Sequence, residues 1–100
     1  MKPIHFVPGG RTASADFGGA LRDCPSAQLY GFVMAEAVKR VGLSSSDVEH
    51  MAIRNVIKPE PQYAYLARVA AIEAGQPIDN PARTLNRLCG TDVQSVTSAS

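Results

Sequence analysis

Leu29, Val33, Ala37 and Val41 recur every four residues between a proline at 25 and a glycine at 42. That spacing keeps apolar side chains on one side of an α-helix. Tyr30, Met34 and Val38 lie beside the stripe, and Glu36, Lys39 and Arg40 fall opposite. Pro25 suits the first helical turn, where its missing N–H costs nothing, and Gly42 is a natural stop. The spacing predicts an amphipathic helix over 25–41 that packs on one side, so the rest of the chain must supply a surface for it.

Short apolar segments separated by breakers supply that surface. Residues 4–7 read as a first strand, broken by Pro8-Gly9-Gly10. A loop at 9–20 follows, with Phe17 to Leu21 as its apolar anchor. Ser44 to Asp47 has the spacing of a helix cap. Residues 48–57, "VEHMAIRNVI", read as a second strand, and 58–62, "KPEPQ", as a loop interrupted by two prolines. Tyr63 to Ala74 is alanine-rich and helical, ended by Gly75 and Pro77. "PARTLNRL" is a third extended segment, and a helix starts near Cys89. This alternation predicts an α/β fold with a mostly parallel sheet. The small and apolar residues of "VQSVTSAS" suit a buried helix. They stop one or two turns after it begins, so a truncated chain is expected.

Composition excludes several function classes. A formal net charge of +1 leaves no electrostatic footprint for nucleic acid or an anionic membrane. No apolar run is long enough to span a bilayer. The two cysteines and two histidines show no zinc-ligand spacing, so no metal is expected. The glycine pairs at 9–10 and 18–19 do not continue into a phosphate loop. Arg11, Lys39, Arg40, Arg68, Arg83 and Arg87 are dispersed, so solvated faces explain most of them. Tyr63 and Tyr65 read as core or interface packing. A cytoplasmic protein with free thiols is the expectation.

One segment points to chemistry. In "TLNRLCGTDVQSV", Cys89 sits where an extended segment turns into a helix. Unpaired backbone N–H groups converge at such a junction, and the helix dipole is positive there. Both stabilise a thiolate, the nucleophilic form of cysteine. The same N–H groups suit a developing oxyanion, and Gly90 permits close approach to the backbone. The competing reading is a small buried apolar residue.

The chain resembles the N-terminal part of the thiolases, a family of acetyl-CoA acyltransferases. The resemblance is carried by "RTASADFGGAL" at 11–21, "AEAVKRVGL" at 35–43, "NVIKPEPQYAYLARVAAIEAG" at 55–75 and, most specifically, "NRLCG" at 86–90. It implies a partial thiolase N-terminal domain over 1–100. The family fold stacks two βαβαβαββ halves as helix-sheet-helix-sheet-helix. The resemblance also implies that Cys89 is the acyl-accepting nucleophile, with its backbone N–H holding a thioester oxygen. Coenzyme A thioesters are then substrates, and no cofactor is permanently bound. The acyl group would pass to coenzyme A in degradation, or to the enolate of acetyl-CoA in condensation.

Family members are several times longer. Their activating histidine, second cysteine and most of the coenzyme A surface come later in the chain. Cys24, His5 and His50 match no catalytic motif and read as packing or surface residues. Several further positions depart from the family pattern, among them Pro8, which falls where the first strand should continue and cannot donate to a central ladder. Thr91-Asp92 follows Cys89-Gly90 where Ser-Gly is usual, and a carboxylate beside a thiolate disfavours it. Arg54 stands where a glycine is usual. Arg83 occupies a strand position that is usually apolar, where burying an unpaired charge is costly. The chain alone is therefore expected not to turn over. The alternative is a non-catalytic fragment acting by association with a partner chain. A half-covered sheet would expose apolar surface, so a homo-oligomer or association with the missing part of the fold is expected.

Overall fold

A computed structural model describes residues 2–59 and 61–100, the side chain of Gln62 excepted. Glu60, part of the loop expected at 58–62, lies outside them. The elements in chain order are helix α1 (Ser26–Arg40), strand β1 (Met51–Arg54), helix α2 (Leu66–Glu73), strand β2 (Ala82–Leu85) and helix α3 (Thr91–Ala99). Short 3-10 turns at Ser45–Asp47, Pro61–Tyr65 and Leu88–Gly90 join them. β1 and β2 pair in parallel, with Met51 opposite Ala82 and Arg54 opposite Leu85. This is the α/β arrangement that the alternating segments predict.

Helix α1 begins just after Pro25 and closes as expected at its other end. Gly42 takes a left-handed φ of 73°. Its N–H donates to the Lys39 carbonyl, and the Leu43 N–H to the Val38 carbonyl. This pair of hydrogen bonds satisfies carbonyls that the helix leaves unpaired. Gly75 closes α2 in the same way, its N–H donating to the Ile72 carbonyl and the Gln76 N–H to the Ala71 carbonyl.

The packed side of α1 is not centred on the four-residue stripe. Ala27 and Gly31 are its buried residues, and Tyr30 and Met34 pack on the core beside them. Leu29 and Val33 are half-exposed. The reason is close approach. A methyl at Gly31 would lie 2.8 Å from the Glu73 Cβ of α2, so the helices cross where side chains are smallest.

The core is correspondingly fine-grained. Ala67, Ala70 and Ala71 of α2 are buried with Leu66, Met51, Ile53 and Ala27. No side chain of Tyr65 caps α2. Instead the Thr84 hydroxyl of β2 accepts the Ala67 N–H at 3.1 Å. Arg68 is not simply solvated. Its guanidinium donates to the Ile78 and Asn80 carbonyls at 3.2 and 2.6 Å, and the Asn80 amide donates to the Val48 carbonyl. These bonds tie the 76–81 connection to the start of β1.

Four expectations need correction. Residues 4–7 form no strand, and Ile4, Phe6 and Val7 are exposed. Pro3 and Pro8 remove donors at both ends, and a strand exists only when its N–H and C=O groups are paired. The "KPEPQ" loop is shorter than expected, because Pro61 opens a 3-10 turn; its missing N–H is harmless at a first position. α3 is not buried, since Val93 and Val96 are exposed. Arg83 is exposed as well, so it carries no burial penalty. Among the described residues no helix is long and apolar enough to cross a membrane.

Candidate active site

The parallel pairing places both strand ends at one edge of the sheet, and the Cys89 turn grows out of the end of β2. Met51 and Ile53 join the α2 cluster. The alternating residues Ala52 and Arg54 point to the other face. There Arg54 forms an ion pair with Asp92 of α3 at 2.6 Å.

Hydrogen bonds fold the turn. Asn86 Oδ1 accepts the Leu88 N–H at 3.0 Å, and Asn86 Nδ2 donates to the Val56 carbonyl at 3.3 Å. The Thr91 hydroxyl accepts the Arg87 N–H at 2.7 Å and donates to the Leu88 carbonyl at 2.5 Å. Thr91 is 1% exposed, so this hydroxyl is a buried pin. Leu88 has φ 47°, the one non-glycine residue in the left-handed region among those described. A leucine there is strained by about 1–3 kcal/mol, and the Asn86 and Thr91 bonds hold it.

Cys89 follows directly and is exposed as a free thiol. The packing reading therefore fails for this cysteine: it fills no core. The Gly90 N–H donates to the Arg87 carbonyl at 3.0 Å. Among the described residues the Cys89 N–H has no acceptor. Gly90 itself has an ordinary φ of −85°, and a methyl there would meet only the Arg87 side chain at 3.7 Å. Neither strain nor space requires a glycine at that position. The Arg87 guanidinium donates to Gln94 at 2.8 Å, bracing the turn against α3.

Tyr30 reaches the same edge from α1, its hydroxyl donating to the Arg54 carbonyl at 3.2 Å. Burial pushes its phenol up from its ordinary value; the Arg54 charge opposes this and the Asp92 charge adds to it. A cavity of about 380 Å³ lies between α1 and residues Gly10 to Thr12, with Tyr30 and Arg54 in its lining. Cys89 is not part of that lining.

The other reactive residues stay apart from this edge. Cys24 is half-buried in the loop before α1. His50 precedes β1, at the opposite end of the sheet from the Cys89 turn, and His5 is exposed in the N-terminal arm. Among the described residues no group of three or more His, Cys, Asp or Glu side chains is arranged to hold a metal. The roles of Arg54 and Thr91 at this turn escape sequence reading. Thr91 carries a weak signal, as a hydroxyl one step inside a helix that follows Asn-Arg-Leu.

Comparison with known proteins adds to this geometry. The family model "Thiolase, N-terminal domain" matches residues 4–100. Beta-ketothiolase BktB of Cupriavidus necator is 47% identical over 98% of this chain. The mitochondrial 3-ketoacyl-CoA thiolase of Bos taurus is 31% identical over the same share. The chain spans 25% of the length of each of these relatives. Human mitochondrial 3-ketoacyl-CoA thiolase, solved in complex with CoA, superposes with a TM-score of 0.76 at 32% identity. The match covers 91% of this chain and 22% of that one.

Proposed function

Since the chain belongs to the thiolase family, we propose that it serves acyl transfer from a coenzyme A thioester, with Cys89 as the acyl acceptor. On this reading residues 1–100 are part of the thiolase N-terminal domain. The observation that carries it is the exposed Cys89 thiol, in a pinned turn at the start of α3, beside its own N–H, which has no acceptor among the described residues. The sulfur, as thiolate, attacks the thioester carbonyl carbon. The carbonyl oxygen gains negative charge, and the Cys89 N–H is a donor suited to it. The carbon–sulfur bond to coenzyme A then breaks, leaving acyl-Cys89, while the proton from the cysteine ends on the coenzyme A thiol. In the second half the acyl group passes to coenzyme A or to the enolate of acetyl-CoA, and the Cys89 thiolate is released.

The histidines give no help near the turn: His50 is at the far end of the sheet. A base from elsewhere is therefore needed for turnover, and the single acylation step is what this chain can test. Incubation with acetyl-CoA or acetoacetyl-CoA, followed by intact mass, should show an acyl adduct that disappears in Cys89→Ala. No adduct, under conditions where a full-length thiolase acylates, sinks the catalytic reading.

A second reading has an observation in its favour. Phe6, Phe17, Phe32, Ile78 and Val93 are all exposed, which suits a chain that acts by association with a partner. Failure to acylate together with stable binding to a full-length relative would favour it.

A further inference from the structure

We infer that the Arg54–Asp92 ion pair clamps the Cys89 turn to the sheet and sets the charge that the sulfur meets, with Arg54 as a positioning residue. The inference rests on Cys89 being the reacting group. Asp92 lies three residues after Cys89, in the first turn of α3, where a carboxylate favours the helix. The same negative charge opposes a negative sulfur. Arg54 ends β1 and reaches Asp92 from a different element at 2.6 Å. Its own backbone is fixed by Tyr30, whose hydroxyl donates to the Arg54 carbonyl at 3.2 Å. Three elements, α1, β1 and α3, thus meet at one charged link beside the cysteine turn.

The other charged groups at this edge do not replace Arg54. Arg87 lies in the turn, with its guanidinium on Gln94. Arg83 is on β2 and exposed. Burial pushes the Tyr30 phenol on α1 up, against the Arg54 charge and with the Asp92 charge. Arg54 and Asp92 keep 52% and 69% of their side-chain surface exposed. Such a pair adds little to global stability, so its removal tests charge and position rather than folding.

The experiment is alkylation of the intact chain by iodoacetamide, from about pH 6 to about pH 10. Peptide mapping resolves Cys89 from Cys24. Arg54→Ala should slow Cys89 alkylation about two- to fivefold near pH 7. Arg54→Lys should keep the wild-type rate. Adding Asp92→Asn to Arg54→Ala should restore the rate, because the uncompensated carboxylate is gone. An unchanged rate in Arg54→Ala overturns the inference, and so does a double variant that keeps the full loss. Parallel changes at Cys24 would assign the effect to unfolding and also overturn it. The readout needs no acyl-CoA. If the alkylation pattern holds while no acyl adduct forms, the clamp stands and the acyl-transfer reading falls.

Discussion

At the scale of single residues, the cysteine turn depends on one buried hydroxyl. Thr91 Oγ1 closes bonds to both Arg87 and Leu88, and the second of these holds a leucine in a strained conformation. Thr91→Val keeps the shape and removes both bonds, leaving the Arg87 N–H without its acceptor. The expected loss is about 1–3 kcal/mol, read as a lower melting temperature, with faster proteolysis next to Leu88. An unchanged melt would mean that the pin is redundant. The place of Cys89 between a strand and a helix was legible from the sequence, because it follows from the flanking patterns alone, whereas its role as nucleophile came only from the family resemblance. Arg54 and Asp92 were legible only as two separate oddities. Their pairing depends on how β1 and α3 are brought together, which no local pattern encodes. The bonds of Arg68 were hidden for the same reason, since its acceptors are backbone carbonyls that any sequence could present.

At the scale of elements, the helix ends were the best-read features. Gly42 and Gly75 close their helices because a left-handed residue is needed there and glycine adopts it freely. The faces were read less well. A four-residue apolar repeat says that α1 is amphipathic, but not which edge of it meets α2. That choice belongs to Gly31, where the two backbones approach closely. Gly31→Val should overpack the crossing and cost about 1–3 kcal/mol, visible in a urea unfolding midpoint. Leu29→Ala, on the half-exposed side, should cost distinctly less. Equal costs would show that the crossing relaxes freely. Residues 4–7 were misread because apolar character and length can suggest a strand without supplying a partner for it.

At the scale of the whole molecule, the fold class was legible and the extent of its core was not. Alternating segments are enough to predict helices on a parallel sheet. Among the described residues the sheet has two strands, each paired along one side only, and the core is mostly alanine. Exposed apolar side chains line the arm, α1 and α3. The isolated chain should therefore self-associate with rising concentration, measurable by sedimentation or light scattering. A monodisperse monomer with one sharp melting transition would contradict this. The Thr84 hydroxyl that receives the Ala67 N–H has a bearing on how the chain comes together in time. Helix α2 lacks a cap of its own and borrows one from a strand made later in the chain. Its first turn and the β1–β2 pairing are thus completed in one cooperative event. The βαβ unit of β1, α2 and β2 is then expected to form as one piece, seen as hydrogen-exchange protection appearing together at Ala67 and across both strands.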